Sequence, residues 1–150
     1  MSFQEKNITV SLVNFTLILG FYLIRLFQMV QGGSLNSENV FRLWGIVAAL
    51  ATIGTVTMII FTHVASRVIH TIKTSEGRHS KDIQDERDKL IELKGTNVAY
   101  RVSSIGVALS MLTLVIGQPP LVLFTLLIFC GISAQIIADI TRLYLYRRGF

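Results

Sequence analysis

Apolar residues crowd into four long stretches of this chain and thin out sharply in a fifth. Residues 8–30, 40–62, 97–117 and 119–146 are each long enough, at about 1.5 Å per helical residue, to cross a hydrocarbon core about 30 Å thick. Each predicts a transmembrane helix. The second is expected to run on without a breaker to residue 74 and to end at Ser75-Glu-Gly77. The fifth stretch, 80–94, is strongly charged. Ser80 is placed to cap a helix there and Gly95 to stop it. Ile83, Leu90 and Ile91 make a narrow apolar stripe along it, flanked by basic residues, and Asp85 and Lys89 form a favourable i,i+4 pair. That pattern suits a helix lying on a membrane surface or against neighbouring helix stalks. Two tight links complete the layout. Residues 31–37 are turn-rich, with Asn36 or Ser37 placed to cap the next helix. Gly117-Gln-Pro-Pro120 is so short that the third and fourth helices must be antiparallel neighbours, and proline is tolerated where the fourth begins. The expected fold is all-α: one integral membrane four-helix bundle over residues 1–150, with a cytoplasmic amphipathic helix between the second and third spans.

Helices in lipid associate through close packing of small residues rather than through hydrophobic drive. Three spans carry small-residue stripes at heptad-like steps: Gly45, Ala48, Thr52, Thr55 and Thr62; Ala99, Ser103, Gly106, Ser110, Thr113 and Gly117; Gly131, Ala134, Ala138 and Thr141. The 4-and-3 stepping predicts left-handed packing. The stripes do not say whether the faces meet within one chain or between copies, so a homo-oligomer stays among the expected partners.

Charge sets the orientation. Of 14 Lys and Arg residues, eight lie from Arg67 to Arg101, and Arg142, Arg147 and Arg148 close the chain, while the two short loops carry none. The positive-inside rule then puts both termini and the charged helix in the cytoplasm of an inner membrane, multi-pass. The net charge of +5 flanks apolar spans rather than forming a groove interleaved with aromatics. The lipid bilayer is therefore the expected partner, and nucleic acid is not. The lone cysteine, Cys130, sits in an apolar run and is expected to behave as a small buried hydrophobe. The N-terminus lacks a signal-cleavage pattern, so the first span is expected to remain.

Candidate chemistry is sparse. Asp139 is the one carboxylate inside an apolar span. His63, Arg67, Tyr100, Arg101 and Arg142 fall at a similar depth. An acid there must be paired or protonated, so Asp139, Arg142, Arg101, His63 and Tyr100 are expected to form a structural polar cluster. Arg25 is expected to snorkel to headgroups or to touch an anion or substrate, and Asn14 to hydrogen-bond between helices. On the charged helix, Asp82, Asp85, Glu86 and Asp88 could face a cytoplasmic protein partner, and Arg87, Lys89 and Lys94 could face lipid. His79, Asp82 and Glu86 have a spacing that a divalent ion could use, but charged helices produce it by chance. No catalytic triad, phosphate-cradling glycine loop or zinc-protease motif is present, so the chain is not expected to be an enzyme or to hold a cofactor.

The run Asp85-Glu-Arg-Asp-Lys-Leu-Ile-Glu-Leu-Lys-Gly95, with Tyr100 after it and Leu143-Tyr-Leu-Tyr-Arg-Arg-Gly149 at the end, resembles a group of uncharacterised bacterial inner-membrane proteins. Those proteins combine an Asp-Glu-Arg-Asp cytoplasmic helix with four spans and a basic C-terminal end. The resemblance covers roughly the second half of the chain. It implies an accessory or signalling role, without catalytic residues, of the kind found beside small DNA-binding regulators. The expected function is a non-enzymatic membrane protein acting through contacts. The rival is a small oligomeric channel or transporter with Asn14, Arg25, His63 and Asp139 on its path; transport would call for a polar stripe through the membrane, and here the polar residues gather at the two ends.

Overall fold

The computed structural model contains four helices: α1 (Phe3–Gln31), α2 (Ser37–Ile72), α3 (Arg78–Val115) and α4 (Pro120–Arg148). It describes residues 3–72 and 78–148, with side chains for 4–58, 60, 64 and 86–148. Each helix holds a segment long and apolar enough to cross a membrane: Gln4–Gln31, Ser37–Met58, Glu86–Val115 and Pro120–Arg148. The expected end of the second helix at Ser75-Glu-Gly77 lies outside the described residues.

One boundary differs from expectation. Gly95 does not stop a helix and Asn97 does not start one: α3 runs unbroken from Arg78 to Val115, so the charged segment and the third span are one rod. The run Lys89–Lys94 is made of good helix formers, and no proline follows it. A glycine inside a helix costs about 1 kcal/mol against alanine. Here it admits another side chain, because a Cβ on Gly95 would stand 2.5 Å from Arg142 Nε. At about 1.5 Å per residue α3 is about 57 Å long, well beyond a bilayer core of about 30 Å.

Both tight links close with glycine in the left-handed region. Gly33 (φ 62°) follows α1, where Gly32 and Ser34 amides return to the Gln28 and Met29 carbonyls. Gly117 (φ 82°) follows α3, with the Gln118 amide donating to the Thr113 carbonyl at 2.9 Å. Such caps satisfy carbonyls that would otherwise face hydrocarbon or headgroups unpaired. Of the two proposed caps for α2, Asn36 serves: its Oδ1 accepts from the Asn39 amide at 2.9 Å.

α4 is the central helix. It packs along α3 on one side and against α1 on the other; α1 in turn carries α2, which reaches α4 only lightly. Among the described residues α2 and α3 do not pack on each other, so the bundle is open along that side. The α1–α2–α4 contact is made by large residues toward the tight-turn end: Ile18, Tyr22, Leu43, Val47, Ile128 and Ile132. The Tyr22 hydroxyl, fully buried, donates to the Thr125 carbonyl at 2.7 Å and so ties α1 to α4. The α3–α4 contact is made by small residues instead. Gly106 and Ser110 of α3 and Ala134 and Ala138 of α4 are buried, and a Cβ on Gly106 would stand 2.5 Å from the Cβ of Cys130. Cys130 thus fills a space that glycine leaves, as a small hydrophobe.

The stripe on α2 does not behave like the other two. Gly45 has nothing within 4 Å of where a Cβ would be, and Thr52 and Thr55 are exposed, their hydroxyls turned back to the Ala48 and Ala51 carbonyls at 2.8 Å. Gly131 on α4 is likewise open. α2 is held by its bulky face, Val40, Leu43 and Val47, and its small face looks outward.

Candidate functional site

Counted from the tight-turn ends of their helices, Ser11 of α1, Thr96 of α3 and Asp139 of α4 all fall about 30 Å away along the axis. The antiparallel packing therefore brings three polar positions to one level, at the far end of the bundle. Asp139 is the centre, 1% exposed. Its Oδ2 accepts from Ser11 Oγ at 2.6 Å. Its Oδ1 accepts from Arg142 Nη1 at 2.8 Å and from Gln135 Nε2 at 3.2 Å. Gln135 and Arg142 lie four residues before and three after Asp139, so one helix face supplies both donors. Arg142 extends the network to α3, where its Nη2 donates to Thr96 Oγ1 at 3.1 Å as the side chain crosses Gly95. Its Nε is buried without a hydrogen-bond partner. One carboxylate thus links α1 and α4 directly and α3 through arginine.

A second tie lies about 10 Å further along the same pair of helices. The Tyr146 hydroxyl donates to Asp88 Oδ1 at 2.8 Å, and Arg87 Nη2 donates to the Tyr146 carbonyl at 3.4 Å. Between the two tiers is a cavity of about 300 Å³ reached by Asp88, Glu92, Asp139, Arg142 and Tyr146. Beside it, between α1 and the second half of α2, is a larger space of about 740 Å³, mostly apolar, with Lys6, Asn14 and Gln135 among its polar edges. Ser11 and Gln135 border both. Asn14 lies against Gly54, where a Cβ would stand 3.1 Å from its Cγ.

Of the expected cluster, the structure joins Asp139 and Arg142. Arg101 and Tyr100 stay outside it: both are exposed, Tyr100 by 73%, on the α3 face turned away from α4. The side chain of His63 lies outside the described residues, as do those of Arg67, His79, Asp82 and Asp85. Asp88, expected at a partner surface, and Arg87, expected against lipid, are both half-buried and each is hydrogen-bonded to Tyr146 of α4. Glu86, Lys89 and Lys94 are exposed, with Leu90 and Leu93 between them. Arg25 sits at the opposite end of the bundle, its guanidinium 5.7 Å above the Phe21 ring. Ser11, Gln135 and Thr96 were not singled out by the sequence pattern. Gln135, one helical turn before the only acid in its span, carried a usable signal; Ser11 and Thr96 are ordinary small polar residues until the helices are docked.

Comparison of the chain with protein-family models, with curated proteins and with solved structures found no match.

Proposed function

We propose that this chain is a non-enzymatic, multi-pass protein of the bacterial inner membrane that acts through contacts, as an accessory, regulatory or signalling component. The observation that carries the proposal is the buried, mostly apolar layer between its polar ends. Ile18, Tyr22, Leu43, Val47, Ile128 and Ile132 pack into one core between the Asp139 network and Arg25, each of them no more than 9% exposed. A transport path through a single copy would have to pass that layer. The polar network supports the same reading, since both Asp139 oxygens are taken by donors that tie helices together. A carboxylate saturated by its own fold acts as a structural lock, and one facing lipid would be costly.

The contact surface is the charged end of α3, where Glu86, Lys89, Leu90, Leu93 and Lys94 are exposed. Exposed leucines amid charges offer a partner both burial and a register. The basic C-terminal end and the basic residues from Arg67 to Arg101 support cytoplasmic termini. The resemblance of 85–95 and 143–149 to bacterial inner-membrane proteins agrees with this placement.

Two measurements test the reading. Purified protein in liposomes loaded with a pH-sensitive dye should pass no more protons than empty liposomes; a flux abolished by Asp139→Asn would replace the contact role with transport. Compartment-sensitive reporters at Ser80 and Phe150 should both report cytoplasm, and a periplasmic signal from either would overturn the orientation.

A further inference from the structure

The tight-turn end of the bundle holds a second cluster of polar groups, unrelated to the Asp139 network. Arg25 of α1 and Arg42 of α2 line one pocket of about 310 Å³, with Asn39 beside them and Phe21 and Leu43 in its walls. Each arginine lies about 8–9 Å from the turn-side end of its own helix. The short turn between α1 and α2 therefore delivers two guanidinium groups to one depth. No carboxylate lines the pocket. Among the described residues neither arginine is ion-paired, and Glu38, one turn before Arg42, forms no salt bridge to it. Arg25 is positioned all the same: its guanidinium stacks over Phe21 at 5.7 Å and donates to Gln28 Oε1 at 3.4 Å.

A lone arginine near a helix end is explained by snorkelling. Two exposed arginines that line one pocket repel each other, an interaction that solvent and salt weaken but do not remove. An anion between them offsets that repulsion. Guanidinium is also the side chain best matched to phosphate, with a planar fork of donors and weak hydration. We propose that Arg25 and Arg42 form a binding site for a phosphate-bearing anion. Its source is either a phospholipid headgroup or a soluble phosphate; the lipid source rests on α1 and α2 being membrane spans.

The test uses the full chain extracted in a mild detergent, alongside the Arg25→Gln/Arg42→Gln double variant and Arg101→Gln, an exposed arginine elsewhere. All three are surface changes that leave the core untouched. Native mass spectrometry with added phosphatidylglycerol, and thermal unfolding with added inorganic phosphate, are read on each. The wild type and Arg101→Gln should retain phosphatidylglycerol, or be protected by phosphate, at concentrations about tenfold below those the double variant requires. A response to the lipid alone identifies a headgroup site, and a response to inorganic phosphate identifies a soluble anion. Equal behaviour of the wild type and the double variant toward both probes overturns the site, as does an equal loss in Arg101→Gln. Release of the protein from cell membranes by alkaline carbonate, without detergent, would instead break the membrane reading, which is thereby tested apart from the arginines.

Discussion

The α3–α4 pair and α2 carry sequence patterns of the same kind and behave in opposite ways. On α3 and α4 the small residues meet: Gly106 receives Cys130, Gly95 receives Arg142, and Ser110 is buried with its hydroxyl returned to the Gly106 carbonyl at 2.7 Å. On α2 the same spacing of glycine, alanine and threonine faces outward, and the helix is held by Val40, Leu43 and Val47 on another side. A small-residue stripe is a permission for close approach and not a contact. It is used where the neighbour offers something to insert, here a thiol and a long guanidinium side chain, and is left open where a bulkier face of the same helix already reaches the core.

Substitutions break this comparison most sharply at its glycines. Gly106→Leu should lower stability by about 3 kcal/mol, near the upper end of overpacking costs, since even a Cβ there collides with Cys130. Thermal unfolding in detergent measures it, and an unchanged midpoint would mean that α3 and α4 do not pack as described. Gly45→Leu is the matched control and should leave the midpoint in place, because open space surrounds Gly45; a large loss there would place α2 in an interface, within the chain or with a second copy.

The Asp139 lock comes next in size. Asp139→Asn should cost about 2 kcal/mol, the range for losing a hydrogen bond to a charged group. A cycle with Arg142→Gln should show coupling, the double variant losing less than the sum of the singles; strict additivity would separate the two residues. Tyr22→Phe, which deletes the α1–α4 bond to Thr125 while preserving the ring, should cost about 1 kcal/mol. Tyr146→Phe should cost less, about 0.5 kcal/mol, since its bond to Asp88 lies at a wetter, half-exposed level. If Tyr146→Phe proved the more damaging of the two, the outer tier and not the buried one would be the main clamp on α4.

Some of this was legible in the chain before any helix was placed. Four runs of apolar residues, two turn-rich links and the depth of Asp139 are each properties of one segment acting alone. Hydropathy, helix rise and the i,i+3 spacing to Arg142 depend only on local order along the sequence, and the four helices and the Asp139–Arg142 pair follow from them. Gly95 shows where local order misleads. A glycine after a charged run looks like a stop, yet the helix continues, and the reason lies in residue 142 on another helix. Ser11, Thr96, the exposed Tyr100 and Arg101, the inward turn of Arg87 and Asp88, and the shared pocket of Arg25 and Arg42 all depend on which faces meet. That choice is made by pairs of helices, through shape and through polar groups that need a partner once water is excluded, and no single stretch of sequence contains it.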